Sequence, residues 1–314
     1  MQPLWPPSGR KSTYPNVQFC QATSNYPVMF LDVQTLGYHS SGEPIRGQDF
    51  TVLVAQIAAE YHGSERDKAD VSKSGEGWRW FTRSSVALGQ DKTRRFDFKY
   101  WNTELTAQID QLKAKGAPSI RDLNLVKTRR GKSPSASLYV DETDGHALVV
   151  KAGTNITRFG TIARNGDYVE KSVFDELSIV HLLDGDVLLS STGDGTLGKC
   201  AVYRGDAPAI FDGHVTLIRL DQTEAHPEYV CDFLRAGFGA DQISRLYTGS
   251  TGLIELPPEQ VDEIIVPLPK LEEQIALSAK LREDESAYAK SLNNAGDQLK
   301  LASFLFKSKG IAFN

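Results

Sequence analysis

The chain has 314 residues, with 35 Lys and Arg against 40 Asp and Glu, for a formal net charge of −5. Hydrophobic residues make up 40% and charged residues 24%, which excludes a disordered chain and leaves room for two folded units and a helical appendage. The acidic balance excludes indiscriminate polyanion binding, because non-specific affinity for nucleic acid comes from neutralising phosphates; any such contact must be local.

In chain order, an apolar run predicts a strand over Pro27–Val33, followed by the turn-rich LGYHSSGEPIRGQDF. Asp49 then precedes Phe50, Val52, Leu53, Val54, Ile57 and Ala58, which predicts a capped helix ending near Gly63. The polar run SERDKADVSKSGEG is expected to be an exposed loop, and WRWFTRSSVAL returns to an apolar pattern. Leu105, Ile109 and Leu112 fall at helical spacing, with Gly116 as the stop and Pro118 beyond it.

After Ser119 the pattern changes to short apolar runs punctuated by Gly, including ALVVKAG, DVLLSSTG, KCAVY, PAIFDG and HVTLIRL, which predicts a β-rich domain. One helix interrupts it at about Pro227 to Ala236. Beyond Pro267 and Pro269 a Pro-free run extends from Leu271 to about Lys307. Leu271, Gln274, Ser278, Leu281, Glu285, Tyr288, Leu292, Ala295, Leu299, Ala302 and Phe306 follow spacings of three and four, a heptad-like seam that is weak in its first half and better in its second. Such a helix would be roughly 50 to 55 Å long and needs a partner. The expected fold is α+β, with a small mixed α/β N-terminal segment over 1–95, a linker helix over 96–118, a β-rich domain over 119–269 and a long C-terminal helix over 270–309.

Catalytic patterns are missing where they would be sought. There is neither the Gly-rich turn after a strand that a methyltransferase needs for its cofactor nor the Asn/Asp-Pro-Pro-aromatic tetrad for a flipped base. GDGTLGK at Gly193–Lys199 lacks P-loop spacing, and Cys200 stands where a magnesium-holding hydroxyl is required. The six histidines are dispersed, and Cys20, Cys200 and Cys231 are odd in number and widely separated, which points to reduced thiols. The expectation is no catalytic residue, no metal and no cofactor. No apolar run reaches the roughly 18 residues of a membrane span and the first residues lack a signal-peptide core, so a cytoplasmic protein with no membrane partner is expected.

Local positive charge opens the β-rich domain at Arg121, Lys127, Arg129, Arg130 and Lys132, followed by Ser133 and Ser135. Arginine forks, lysine charges and small hydroxyls are the donors that phosphate oxygens and guanine edges require. Three further loops combine Gly with Ser, Thr or Asn: KAGTNITRFG with Lys151, Asn155 and Arg158, SSTGDGTLGK with Ser190, Thr192, Thr196 and Lys199, and YTGSTGL with Thr248, Ser250 and Thr251. Glycine permits close backbone approach to phosphate, and Asn155 or Arg158 could read base edges. Each loop taken alone is also consistent with an ordinary tight turn.

Read in order, IRDLNLVKTRRGKSPS, GDYVEKSVFDEL, LLDGDVLLSSTGDGTLGKCAVY, DGHVTLIRL, HPEYVCDFLRAG and GSTGLIELPPEQVDEIIVPLPKLEEQIAL resemble the target-recognition domain of type I restriction-modification specificity subunits over about Ser119 to Lys307. The resemblance implies a domain whose loops read one half of a bipartite double-stranded DNA site, followed by a spacer helix. Family members carry two such domains, and this length holds one, which implies a homodimer through residues 271–307. YPVMFLDVQTLGYHSSGEPIRGQDF resembles the tail that follows the catalytic domain of adenine-N6 methyltransferases, and RRFDFKYWNTEL resembles the linker that joins that tail to a recognition domain. The implied partners are an adenine-N6 methyltransferase subunit and a restriction or translocase subunit.

Two other readings stay open at this point. One is an enzyme, as a diverged form or fragment of a fused methyltransferase-specificity protein or a nuclease. The other is an assembly factor of a phage-defence complex that keeps the recognition fold without reading bases.

Overall fold

A computed structural model describes residues 26–33, 50–93, 95–249 and 253–308. The chain divides into two compact units at Thr106. The fold is α+β, with a long C-terminal helix.

The first unit is built on a three-stranded antiparallel sheet in the order β1 (Pro27–Val33), β3 (Trp78–Ser84), β2 (Ser72–Gly75), with α1 (Phe50–His62) against it. Phe30 faces Phe81 across the sheet and their rings stack with centroids 5.1 Å apart. Trp78 and Trp80, two apart on β3 and so on one face, form the core with Leu53. The segment expected as an exposed loop holds a 3-10 turn at Ser64–Asp67 and β2; all four β2 residues are exposed, so an edge strand carried no apolar signature. Ser84 caps α2 (Ser85–Gln90), accepting from the amides of Val86 and Ala87, and α3 (Thr103–Ala114) contains the division between the units. Asp49, expected as a cap, lies outside the described residues.

In the second unit, α4 (Ile120–Leu123) is closed by a capping box in which Ser119 and Asp122 exchange side-chain and backbone bonds. Two four-stranded sheets follow. One has the order β10 (Ala209–Phe211), β6 (Ala147–Val150), β7 (Tyr168–Val169), β5 (Tyr139–Val140), and the other β4 (Arg129–Arg130), β11 (Val215–Ile218), β8 (Val187–Ser190), β9 (Cys200–Val202). Every residue of β6, β8, β9, β10 and β11 is buried, which is why these strands read as unbroken apolar runs rather than alternating ones. Both sheets contribute to one core, including Leu148, Val150, Ile210, Phe211, Leu188 and Leu217.

Helices complete the unit: α5 (Lys171–Glu176), α6 (Pro227–Arg235), α7 (Gly237–Leu246), α8 (Pro258–Val261) and α9 (Leu271–Ser308). α7 has no clear signature in residue order, because Gly237 and Gly239 weaken its first turn. It forms because Gly239 lies against the Phe233 carbonyl, where a Cβ would collide, and because Ile243 and Leu246 are buried. Gln242 on α7 locks Ile265 by two 2.9 Å bonds, to its amide and its carbonyl. The amide of Ile120 donates to Ile264 and that of Val266 to Pro118, so the chain comes into and leaves the domain side by side, just before α9.

Among the described residues no helix is long and apolar enough to cross a membrane, and no group of His, Cys, Asp and Glu is placed to hold a metal ion. Cys200 and Cys231 are buried free thiols; Cys20 lies outside the described residues.

Candidate nucleic-acid interface

Strand direction decides where the Gly-rich loops go. Val150 pairs with Phe211, Ser190 with Val215, Arg130 with Thr216 and Cys200 with Leu189. The Lys132 amide joins the two sheets by donating to Phe211, while Gly131 donates to Val215 within one sheet and Asp212 to Val150 within the other. The C-terminal ends of β4, β6, β8 and β10 therefore meet the N-terminal ends of β9 and β11. The segments 131–135, 151–160, 191–199 and 212–214 all leave from that one end. Bridges from Glu255 to Thr192 and to Thr248 bring the 248–255 loop to the same place.

Glycine is required at particular points of this end. A Cβ on Gly131 would collide with the Phe211 carbonyl, and Gly193, Gly195 and Gly198 take φ of 89°, 78° and 84° within a single loop. Thr196 donates its hydroxyl to the Thr192 carbonyl at 2.6 Å, and the Thr192 hydroxyl bonds His214 Nδ1 at 2.7 Å. These bonds fold the 191–199 loop onto itself and tie it to the 212–214 turn.

The candidate residues divide by environment. Lys132 and Ser135 are exposed, and Ser133 accepts from the Gly213 amide at 3.2 Å. Arg158 is exposed, its guanidinium 4.6 Å from the Phe159 ring centroid. Arg158 and Lys199 share the walls of an open pocket of about 370 Å³ with Asp194, Arg235, Ser244 and Tyr247. Lys132, Arg158 and Lys199 have no carboxylate partner among the described residues.

Other candidates have structural employment. Asn155 has 0% exposure; its carbonyl oxygen accepts from the Lys151 amide and its amide group donates to Ala163 and Asn165. With its bonding capacity taken up inside the loop, it holds the loop's base and does not face outward. Ser190 also has 0% exposure, and its position on β8 is a core position. Lys151 bonds Asp167 and lies 4.2 Å from the Tyr139 ring centroid. Burial pulls its pKa down, but the bond to Asp167 together with the charges of Tyr139, Asp167 and Asp212 outweighs that, so the pKa stands above the ordinary lysine value.

Arg130 pairs with Glu255 at 2.8 Å. Arg129, next to it on β4, projects to the other side and is half-buried, its Nε without a partner among the described residues. Lys127 is exposed but lies toward the opposite end of the sheet, since Leu125 donates to Arg219 there. The structure therefore leaves it apart from the loop cluster. Thr248 pairs with Glu255 through the backbone; Ser250 and Thr251 lie outside the described residues.

Sequence reasoning missed His214, Asp212, Asp194, Tyr247 and Arg235. His214 is exposed at the centre of the loop end. Beside it Asp212 is 4% exposed, and burial raises its carboxyl pKa, opposed by the bond from the His214 amide. The Asp-Gly pair at 212–213 between two apolar runs was the available signal, since it marks a tight turn that must surface somewhere.

No protein-family model matches the chain, and no curated protein matches it. It is similar to a solved structure described as underlying complex assembly and conformational transition of the type I R-M system, at 14% identity and a TM-score of 0.46, over 65% of this chain and 50% of that one. It is similar to the type I restriction-modification system S subunit from M. genitalium at 16% identity and a TM-score of 0.38, over 60% and 43%. It is also similar to the type IIG restriction endonuclease BpuSI at 9% identity and a TM-score of 0.46, over 82% and 35%. The chain spans half or less of the length of each, and at these identities no residue role is carried across.

Proposed function

We propose that this chain recognises double-stranded DNA as the specificity part of a restriction-modification system, with no catalytic role of its own. The observation that carries the reading is the convergence of Gly-rich loops at one end of the two sheets, where Lys132, Arg158 and Lys199 have no carboxylate partner among the described residues. Elsewhere in the same unit Arg164, Arg204, Arg219 and Arg282 are all matched to acids. Cations without an acid partner on tightly turned loops of an acidic protein present a local phosphate-binding surface. Among the described residues the reading surface narrows to Lys132, Ser133, Ser135, Arg158, Thr192, Thr196, Lys199 and Thr248. Arg129 and Arg130 act at its margin.

The partners of this reading are an adenine-N6 methyltransferase subunit, a restriction or translocase subunit and a second copy of the chain. For the homodimer, the supporting observation is the distal half of α9, where Tyr288 and Leu292 are 54% and 46% exposed at seam positions. The proximal seam residues Gln274 and Ser278 are buried, so along the seam a second copy is expected beyond Glu285.

The experiment is enrichment of a random duplex pool by the full chain with a methyltransferase partner, followed by sequencing. A recurring half-site is the expected outcome. Binding without sequence enrichment would favour the assembly-factor reading, and no binding would refute DNA recognition.

A further inference from the structure

The tip of the 151–160 loop is gripped from outside the loop. Arg235, at the end of α6, donates Nη1 to the Arg158 carbonyl at 3.1 Å, and Arg282, on α9, donates Nη1 to the Phe159 carbonyl at 3.3 Å. The same two guanidiniums dock the long helix. Arg235 is bidentate to Glu285 of α9 at 2.5 and 2.8 Å, and its Nε donates to Asp232 at 2.9 Å. Arg282 bonds Glu228 and reaches Asp232 at 3.2 Å, both on α6.

The side chains of Arg235 and Asp232 are each 6% exposed, so the bond between them is made largely out of water, whereas Arg282 and Glu285 are partly exposed. Gly160, at φ 75°, completes the fit: a Cβ there would stand 3.2 Å from nitrogens of both arginines. Within the loop, Ile156 is buried and bridges Ile162, which leaves the turn at Thr157–Thr161 as the part whose position is set by the arginines.

We propose that Arg235 and Arg282 are positioning residues that couple the docking of α9 to the placement of the Arg158 loop. The consequence for recognition rests on the DNA reading above; the coupling itself does not. A guanidinium that bonds a carboxylate on one element and a carbonyl on another holds each less firmly when the other moves, and buried Asp232 and Glu228 lose a partner if it swings away. Displacing α9 therefore releases the loop, and a ligand that orders the loop tightens α9.

The test uses the full chain without DNA. Amide hydrogen exchange over 157–161 is compared in wild type, Arg282→Gln, Glu285→Gln and, as control, Arg204→Ala. The control removes a partner of Glu228 that makes no bond to the loop. Exchange at 157–161 should rise about tenfold in Arg282→Gln and measurably in Glu285→Gln, and stay at the wild-type rate in Arg204→Ala. Glu285→Gln, which keeps shape and removes only charge, decides the matter if Arg282→Gln does not fold. Loosening of 280–286 with no change at 157–161 would overturn the coupling.

A second arm measures binding to a short duplex taken from the enriched pool. Glu285→Gln should weaken binding several-fold in the wild-type background and add little to Arg158→Ala. Additive losses would overturn the coupling. Failure of every duplex to bind wild type would overturn the DNA reading instead, with the exchange result still deciding the coupling.

Discussion

Arg130 and Glu255 form a 2.8 Å ion pair that joins β4 to the strand-like stretch after the 248–255 loop, and Arg130 also donates to the Leu256 carbonyl at 3.3 Å. The arginine is three-quarters buried and the glutamate half exposed. Arg130→Ala is expected to cost about 1 kcal/mol of stability, since water still reaches one partner. It should weaken DNA binding equally across sequences by loosening the 248–255 loop. Thermal unfolding together with binding to matched and scrambled duplexes checks both, and a change in sequence preference would instead make Arg130 a base reader.

Lys199 and Arg158 face one pocket without carboxylate partners among the described residues. If both contact phosphate, each Ala substitution lowers affinity and reduces the slope of log affinity against log salt by about 1. If Arg158 is bidentate to a base, its loss costs about 1 to 3 kcal/mol, relaxes preference at one position and leaves the slope nearly unchanged. Titrations at several salt concentrations separate the two.

Asn155 makes three bonds inside its loop at 0% exposure. Asn155→Ala strands two carbonyls and one amide and is expected to destabilise the domain by about 1 to 3 kcal/mol. Urea denaturation should show that loss in the absence of DNA. A stable variant defective only in binding would restore Asn155 as a contact residue.

Beyond Glu285 the seam side chains of α9 meet solvent at Tyr288 and Leu292. Leu292→Glu should convert a dimer to a 34.6 kDa monomer in sedimentation velocity without altering thermal unfolding of the β-rich domain. A wild-type chain that sediments as a monomer at all concentrations would remove the second copy from the list of partners.

Lys99, in the first unit, has its ammonium pKa pulled down to about 8 by burial, with the Arg95 charge adding to the shift and Asp97 opposing it. The folded value lies below the unfolded 10.5, so between about pH 8 and 10.5 the unfolded chain binds the extra proton. Stability from this group therefore rises with pH across that window and is at its lower plateau below it. At pH 8 about half of the Lys99 amines are neutral, against well under one per cent for an ordinary lysine. Competitive acetylation at pH 8 should label Lys99 well ahead of exposed Lys92; equal labelling would count against the shift.

Much of this architecture is legible in residue order. β6, β8, β10 and β11 announce themselves as unbroken apolar runs, and Pro267 and Pro269 mark the start of α9. The candidate loops were legible as Gly-rich segments, but not their internal bonding. Asn155 and Arg158 look alike in a polar loop, yet Asn155 turns inward to three backbone partners while Arg158 remains outside. Arg130 looked like part of a basic run because Glu255, which pairs with it, is remote in the chain. The weak first half of the α9 seam has the same origin. Gln274, which bonds His226, Glu224 and Pro269, and Glu285, which holds Arg235, are polar because their partners in the domain are polar.

Because the strand ends that carry the loops all lie at one end of the two sheets, residues that could change a ligand preference are segregated from those that fold the domain. The far end is closed separately, by Arg219 bidentate to Asp186 at 2.6 and 2.7 Å and by the Ser119–Asp122 capping box. Loop replacement at the open end therefore leaves the closing bonds of the far end intact, provided that Gly131, the inward Asn155 and Ile156, and the 157–161 turn held by Arg235 and Arg282 are kept. If the open end reads DNA as proposed above, exchange of its exposed segments changes the sequence read while the closing bonds of the far end stay in place.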